Sequence, residues 1–281
     1  MLNLISSIRN IAIRRHLKER ALVWKMFIPP GKYAIIGDNH GFLDIYRETV
    51  YEIMERHHDI KGVFHLGDMF GANAPLEECI ECLRFTIENR IIAVKGNHCR
   101  NVLNCDTKHK YSPRKDKYNR QLYELLIEQP DLYKKMLRFP DKIENDYFEL
   151  VHSSVYRPYY SNTRYSNEFC VTYDLVSRPV FASHEHRFQM TFKSGIGAKR
   201  TDLAFDEEIP VDTPCIISVP TMTYSRQRQK YEHGYTIVTI QENGALSIRA
   251  YHMGKSFTRQ EPLARDTRSQ NQIAIKDIEW N

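Results

Sequence analysis

Apolar residues in the first half of the chain follow two alternating periods, and each short apolar run ends at a polar cluster. The short runs predict strands over 32–38, 61–68 and 90–98, and apolar residues at helical spacing predict helices over 43–58 and 75–90. The three strand ends carry Asp38, Asp68 and Asn97, which are 30 and 29 residues apart. Such steps suit successive strand–helix–strand units of roughly 30 residues each. This half therefore predicts a parallel sheet, and the carboxyl ends of such strands are where α/β proteins place ligands.

The second half of the chain predicts more strand and less helix. Helices are predicted over 117–129 and 130–139, and strands over 146–154, 178–186, 186–193, 214–220, 234–241 and 245–251. The last two strands flank Glu242-Asn243-Gly244, which is a hairpin signal. Together the two halves predict one α/β (α+β) domain with a β-rich end.

Amino-acid composition limits the possible classes of protein but does not identify a function. The chain has 40 Lys and Arg against 35 Asp and Glu, and a net charge of +5 permits an anionic ligand without requiring nucleic acid. The six cysteines are too scattered for a disulfide framework, which favours a reducing, cytoplasmic setting. Cys79 and Cys82 form a CxxC inside a helical pattern, which favours buried thiols over a zinc or redox pair. No apolar run approaches the roughly 20 residues that a membrane-spanning helix needs.

Both ends of the chain differ from its centre, which divides the sequence into three regions. Residues 1–30 predict a basic amphipathic helix that ends at Pro29-Pro30 and packs on the domain, with binding to an anionic membrane surface as the alternative. Residues 31–254 are predicted to form the domain. Residues 255–281 are predicted to form a polar tail, because they are weakly patterned.

Polar clusters that follow apolar runs are the strongest chemical signal in the sequence. They are GDNHG at 37–41, GDMFG at 67–71, GNHC at 96–99, VHSS at 151–154 and SHEH at 183–186. Each cluster alone is unspecific, since a strand-end Asp is often a helix cap and an HxH is often two surface histidines. Together, imidazole, carboxylate and amide oxygen are ligands that divalent metals accept. We therefore expect side chains from separate strands to converge on a metal site.

These clusters, in this order, resemble the calcineurin-like metallophosphoesterase superfamily. Its pattern places D-x-H, GD, G-N-H-[DE], H and G-H-x-H at successive strand ends, and the resemblance runs from about Tyr33 to about Ala250. It is closest to the compact bacterial and archaeal branch related to small phosphodiesterases. The resemblance implies two facing mixed β-sheets flanked by helices, in a four-layer sandwich.

Matched position by position, the resemblance implies a binuclear metal centre. One ion would be held by Asp38, His40, Asp68 and His186, and the other by Asp68, Asn97, His152 and His184. His98 would be the catalytic histidine beside the leaving group. The implied cofactors are two divalent ions, with manganese as the first choice and iron, zinc, nickel or magnesium as alternatives. The implied reaction is attack on phosphorus by a metal-bridged hydroxide, without a phosphoenzyme.

Three departures from the family pattern bear on catalysis and substrate. Cys99 stands where an acid commonly orients the histidine, a role that would fall to Asp106 or another carboxylate, and Ser153 and Ser183 replace glycines. The segment GDMFGAN lacks the arginine of protein Ser/Thr phosphatases, which counts against a protein substrate. The remaining candidates for gripping a phosphate beside the motifs are Arg100, Arg157 and Arg187.

The predicted function is a metal-dependent phosphoesterase that hydrolyses phosphodiester or pyrophosphate-type bonds of a nucleotide or another small phosphorylated ligand. The alternatives are a protein Ser/Thr-type phosphomonoesterase and a catalytically weak, metal-binding interaction protein. Tyrosines and cations at 107–120 and 156–165 favour an ordinary cap over a groove for nucleic acid. His57, His58, His65 and His109 match no motif and are expected at the surface or packed in the fold. The sequence carries no signal for an oligomeric state.

Overall fold

The computed structural model describes residues 22–71, 74–104, 113–153, 176–194, 197–212, 214–222 and 233–253. These residues form two mixed β-sheets with flanking helices, as the resemblance implied. The helices are α1 (Leu43–Arg56), α2 (Leu76–Glu88), α3 (Asn97–Leu103), α4 (Pro113–Ile127) and α5 (Pro130–Arg138). The strands are β1 (Val23–Lys25), β2 (Gly31–Ile36), β3 (Ile60–His65), β4 (Ile92–Ala93), β5 (Lys142–Glu144), β6 (Glu149–Val151), β7 (Val180–Ala182), β8 (Gln189–Ser194), β9 (Gly197–Asp202), β10 (Ile209–Pro210), β11 (Cys215–Ser218), β12 (Gly234–Ile240) and β13 (Leu246–His252).

One sheet has six strands in the order β10-β13-β12-β2-β3-β4. Strands β2, β3 and β4 run parallel, as their spacing predicted, because α1 and α2 return the chain between them. Strand β12 adds antiparallel to β2. Strands β12 and β13 form the predicted hairpin, and its turn places Gly244 at a φ of +83°, which glycine adopts without steric cost.

The other sheet has seven strands in the order β1-β5-β6-β7-β11-β8-β9. Strand β7 is parallel to both of its neighbours, β6 and β11. The carboxyl ends of these three strands therefore lie at the same edge. All three were predicted as strands, and the chain continues directly into polar residues after β6 and β7 and reaches Thr221 three residues after β11.

Alternating residues of the strands build two separate apolar layers. Tyr33 and Ile35 of β2 share a buried cluster with Phe181 of β7, so the two sheets pack face to face. Ala34 and Ile36 point to the opposite face and pack with α1. A third cluster joins α2, α4 and α5 beside the ends of β3 and β4. Both faces of the parallel strands are thus covered, which explains their almost continuous apolar sequence.

The chain differs from the sequence-based expectation at its first strand and around α3, and strands β5, β9 and β10 were not predicted. Val23–Lys25 is a strand that pairs with β5, so the helix predicted for 1–30 does not extend to Pro30, and residues 1–21 lie outside the described part of the chain. The run predicted as a strand over 90–98 ends at Ala93, and its last residues already belong to α3. Helix α3 begins after Gly96, whose carbonyl accepts the Arg100 backbone N–H at 3.1 Å. The predicted tail at 255–281 lies outside the described residues.

Within the described ranges, no helix combines the length and hydropathy needed to span a bilayer.

Candidate metal centre

The polar clusters meet at one edge of the two facing sheets. Asp38 follows β2, Asp68 follows β3, Asn97 follows β4, His152 follows β6, and both His184 and His186 follow β7. Because β2, β3 and β4 are parallel, and β6 and β7 are parallel, each sheet presents its set at a single edge. The structure therefore brings together all seven side chains that the sequence nominated as ligands, with His98 beside them.

The first group of candidate ligands is Asp38, His40 and His186. His186 Nε2 lies 3.1 Å from Asp38 Oδ2 and 3.2 Å from His40 Nε2. The backbone N–H of His184 donates to Asp38 Oδ2 at 2.6 Å, and the Ser183 hydroxyl donates to Asp38 Oδ1 at 3.3 Å. Donors from the other sheet therefore set the orientation of this carboxylate.

The second group is Asp68, His152 and His184, with Asn97 against it. His152 Nε2 lies 3.3 Å from Asp68 Oδ2, 2.8 Å from Asn97 Oδ1 and 2.9 Å from His184 Nδ1. The other ring nitrogen, His152 Nδ1, donates to the Leu66 carbonyl at 2.8 Å. That hydrogen bond turns Nε2 toward the group, which is the usual way in which a ligating imidazole is oriented.

His98 joins Asp68 to the first group. Its backbone N–H donates to Asp68 Oδ1 at 2.8 Å, and its ring Nε2 lies 4.0 Å from Asp68 Oδ2. The rings of His98 and His40 meet edge to face, with centroids 5.0 Å apart. The His98 side chain is 29% exposed against 2% for Asp68. His98 thus lies on the solvent side of the site, and Asp68 lies between the two groups.

The pKa values of the site residues indicate that the site can accommodate positive charge. Burial alone would raise the pKa of Asp38, but the hydrogen bond from His186 and the nearby histidines hold it well below its usual range. Burial alone would lower the pKa of His152, yet the charge of Asp68 raises it to about 9. Burial, together with the neighbouring histidines, lowers the pKa values of His40 and His184 to about 4. The site therefore combines ionised carboxylates with a protonated His152 and with neutral His40 and His184.

Backbone conformation at the site is unusual. Asp38, His40, Asp68, His184 and His186 have φ angles of 55°, 49°, 53°, 64° and 54°. Residues other than glycine rarely adopt this left-handed region, and each instance costs on the order of 1 kcal/mol or more. Five of the seven candidate ligands therefore hold a conformation that the surrounding hydrogen bonds must impose.

Two glycines in the motifs are required by close contacts. A Cβ on Gly96 would lie 2.0 Å from Asp68 Oδ1, and a Cβ on Gly37 would lie 2.6 Å from Ser183 Cβ. Gly37 thus makes room for Ser183, which replaces the family's glycine and uses its hydroxyl to hold Asp38. The exchange of a glycine for Ser183 adds a donor without removing a ligand.

Comparison with known proteins decides the family. Residues 31–188, more than half of the chain, match the family model for calcineurin-like phosphoesterases. The chain belongs to the calcineurin-like phosphoesterase family. It is therefore a hydrolase of the metallophosphoesterase type.

Solved structures agree with this phosphoesterase fold. A metallophosphoesterase from Sphaerobacter thermophilus is similar at 15% identity and a TM-score of 0.60, covering 80% of this chain and 89% of the other. A putative diadenosine tetraphosphatase has 14% identity and a TM-score of 0.47, covering 83% of this chain and 100% of the other. The second similarity is too weak to support functional inference. No curated protein matches the chain in sequence.

Calcineurin-like phosphoesterases depend on two metal ions, and the side chains of this phosphoesterase fit such a pair. Donor atoms that share one ion at about 2.1 Å lie roughly 3.0–3.4 Å apart. The spacings in the two groups run from 2.8 to 3.3 Å. Asn97 Oδ1 faces only acceptors, and the opposite amide orientation would turn its N–H groups toward His152, Asp68 and His184.

The arginines near the motifs of this phosphoesterase lie in different environments. Arg100 forms an ion pair with Asp141, which also accepts the Leu22 backbone N–H at 2.8 Å. Arg100 therefore ties α3 to the residue before β1, and its candidate role as a phosphate ligand stays a prediction. Arg187 is exposed next to His186, and Arg157 lies outside the described residues.

Cys99 does not replace the missing acid. Its side chain is buried, and burial together with the charge of Asp68 raises its pKa to about 11, so it stays a neutral thiol. Asp106, the other carboxylate considered, lies outside the described residues. Among the described carboxylates, Asp68 is the one in contact with His98, through both the backbone N–H and the ring.

Sequence reasoning missed Thr221. Its hydroxyl donates to the Asp38 carbonyl at 3.1 Å, and the Met222 backbone N–H donates to the Gly37 carbonyl at 3.1 Å. Thr221 follows the predicted strand 214–220, so the rule that strand-end polar residues serve the site would have found it. Of the histidines without a motif, His58 is exposed, His57 packs on Tyr235, and His109 lies outside the described residues.

Proposed function

We propose that this protein is a binuclear metal-dependent phosphoesterase that hydrolyses phosphodiester or pyrophosphate-type bonds of a nucleotide or another small phosphorylated ligand. The observation that carries the proposal is the convergence of carboxylate, amide and imidazole donors from both sheets at one edge, with Asp68 between the two groups.

The proposed ligand sets follow the two groups. Asp38, His40, Asp68 and His186 hold one ion, and Asp68, Asn97, His152 and His184 hold the other. These sets contain only two carboxylates, so two divalent ions keep an excess of positive charge. That excess attracts a phosphate group and stabilises the additional negative charge of the transition state. Manganese is the proposed metal, because the sets mix hard oxygen donors with imidazoles.

The chain's own contribution to the chemistry centres on His98. When bound, the two ions polarise the phosphoryl group and supply a nucleophile at neutral pH. The Asp68 carboxylate accepts the His98 backbone N–H, which fixes where the ring can reach. His98 Nε2, on the solvent side of the site, is placed to give a proton to the departing oxygen. The departing oxygen then leaves protonated, whether it belongs to an alcohol or to a phosphate.

The proposed substrate class follows from how little fixed positive charge the site offers besides the metals. A phosphomonoester carries about −1.5 to −2 charge at neutral pH, whereas a diester carries one negative charge. Arg100 is engaged by Asp141, and the described residues of the second motif include no arginine. This arrangement favours a singly charged diester or an internal pyrophosphate bond over a phosphoprotein.

Domain limits and location are part of the proposal. We assign residues 31–254 to the phosphoesterase domain together with β1, which pairs with β5 in its seven-stranded sheet, and we assign the residues before β1 and residues 255–281 as appendages. Four described cysteines, Cys79, Cys82, Cys99 and Cys215, are buried free thiols, which supports a reducing, cytoplasmic setting.

Metal analysis and ester hydrolysis test the proposal together. Purified protein loaded with Mn²⁺ should bind two ions and hydrolyse bis-p-nitrophenyl phosphate faster than p-nitrophenyl phosphate. Asp68→Asn should lose both ions, whereas His98→Asn should keep both and turn over more slowly. Two bound ions without hydrolysis of either ester or any nucleotide would instead favour a metal-binding interaction protein, and Cys99 is the feature that makes this alternative worth testing.

A further inference from the structure

A buried polar network lies directly behind the two metal-binding loops. The Gly67 backbone N–H donates to His65 Nδ1 at 3.0 Å, and His65 Nε2 lies 3.0 Å from Asn39 Oδ1. The Asn39 amide then donates to Cys82 Sγ at 3.1 Å. Asn39, His65 and Cys82 are completely buried. None of the three contributes an atom to the candidate ligand groups.

The hydrogen bonds fix the proton positions in this network. Since Gly67 is the donor, His65 Nδ1 carries a lone pair, and the ring proton is on Nε2, where it is donated to Asn39. Burial lowers the pKa of His65 to about 4, so the ring is neutral at neutral pH, as this arrangement requires. The Asn39 amide nitrogen also donates to the Met69 carbonyl at 3.5 Å, so rotation of either the ring or the amide would break at least one hydrogen bond.

The network joins the loop after β2 to the loop after β3. The backbone N–H groups of Asp38 and His40 donate to the carbonyls of Gly67 and Asp68 at 3.2 and 2.9 Å. Asn39 lies between these two donors, and its side chain bonds to His65 and Cys82. These two backbone bonds and the Asn39–His65 bond therefore set the separation of the loops that carry Asp38, His40 and Asp68, together with weaker side-chain bonds to the Met69 and Phe70 carbonyls.

We propose that Asn39 and His65 are positioning residues that hold these two loops at the separation required by the metal pair, with Cys82 of α2 as the anchor of the Asn39 amide. The proposal rests on the metal-binding function proposed above. Partners that orient metal ligands typically change metal affinity or activity about 10–100-fold when removed. Neither residue touches the substrate in this role.

His65→Phe and His65→Gln separate positioning from simple filling of the core. Phenylalanine keeps a ring that can pack edge to face on Tyr46, whose ring centroid lies 5.2 Å from that of His65, but it removes both hydrogen bonds. Glutamine keeps an N–H donor near the place of Nε2. His57→Phe is the matched control, because His57 also bonds a side-chain oxygen, that of Tyr235 at 3.1 Å, and also meets a tyrosine edge to face.

The test is a Mn²⁺ titration followed by the electron paramagnetic resonance signal of free Mn²⁺, with kcat and KM for bis-p-nitrophenyl phosphate measured at saturating metal. We expect His65→Phe and Asn39→Ala to weaken Mn²⁺ binding about 10–100-fold per folded molecule. We expect kcat to fall while KM stays constant, and His65→Gln and His57→Phe to remain close to the unmodified protein.

The outcomes distinguish the two proposals. If unmodified protein binds no Mn²⁺, the proposed function fails and the positioning role fails with it. If unmodified protein binds two ions and His65→Phe binds them equally well, or no worse than His57→Phe does, only the positioning role is overturned. If His65→Phe does not fold, Cys82→Ala and Cys82→Ser decide, because serine keeps the acceptor for Asn39. Equal Mn²⁺ affinity in those two variants would refute the network's role.

Discussion

Replacement of Gly96 by alanine tests the packing of the site with a single methyl group. A Cβ at this position would lie 2.0 Å from Asp68 Oδ1 and 2.2 Å from the Asp68 backbone nitrogen, where ordinary contact begins at 3.4 Å. The φ of Gly96 is −88°, which any residue adopts, so the effect is steric and not a matter of backbone strain. The Asp68 carboxylate or the start of α3 must therefore move by about 1 Å or more to relieve the overlap.

The expected loss follows from what this movement disturbs. Asp68 lies between the two candidate ligand groups and also accepts the His98 backbone N–H at 2.8 Å. Misplacement of a reacting group by about 1 Å costs roughly 100-fold in rate, and overpacking costs about 1–3 kcal/mol of stability. We expect Gly96→Ala to lose at least 100-fold in kcat on bis-p-nitrophenyl phosphate and to bind fewer than two Mn²⁺ ions.

Gly244→Ala is the control, because it should cause backbone strain without a steric clash, whereas Gly96→Ala should cause a steric clash without backbone strain. Gly244 has a φ of +83°, and its Cβ would be 3.6 Å from the nearest side-chain atom, Tyr147 Cε1. This variant should lose about 1 kcal/mol of stability from the left-handed backbone alone and keep full activity. If Gly96→Ala bound two ions and turned over within threefold of the unmodified protein, the assignment of Asp68 to both ions would be refuted.

Three further perturbations have clear expected outcomes. Asp141→Ala should lower the free energy of unfolding by about 3 kcal/mol, because it leaves Arg100 without its buried partner; a rise in KM would show instead that Arg100 binds substrate. Chelation should lower the thermal midpoint, and Mn²⁺ at about 100 times its dissociation constant should restore about 2.7 kcal/mol; an unchanged midpoint would argue against metal binding to the folded state. Unfolded His65 takes up a proton below pH 6.5, whereas the folded state resists until about pH 4, so protons favour unfolding in this window. Urea unfolding of metal-free protein at about pH 7 and pH 5 should show a loss of stability that is about 2 kcal/mol smaller in His65→Gln than in the unmodified protein, and equal losses in both proteins would contradict the burial of a neutral ring.

The elements that could be predicted are those in which a clear apolar period ends at a clear polar boundary. Strand β2 and helix α1 each combine a clear apolar period with a polar boundary, and both lie where the sequence placed them. Strand β1 could not be predicted, because three residues at the edge of a sheet show no period and owe their conformation to pairing with β5. Helix α3 was missed because its first residues belong to a motif that reads as the end of a strand.

The same distinction holds at the site. Residue type and order were enough to nominate the ligands, since few side chains bind divalent metals and the clusters follow a family pattern. The partner of Arg100 could not be predicted, because Asp141 is distant in sequence and the pair depends on how α3 meets the chain before β5. The role of Asn39 was equally hidden, since a residue between two nominated ligands gives no sign that its side chain turns away from them.

Backbone strain is concentrated at the site, in the left-handed conformations of Asp38, His40, Asp68, His184 and His186. Glycine at His40 or His186 would relax the polypeptide, since it adopts such angles freely, while abolishing an imidazole donor. Substitutions chosen only to raise the thermal stability of this protein would therefore remove its candidate metal ligands. The side chains at these turns therefore lower the stability of the fold in exchange for metal binding.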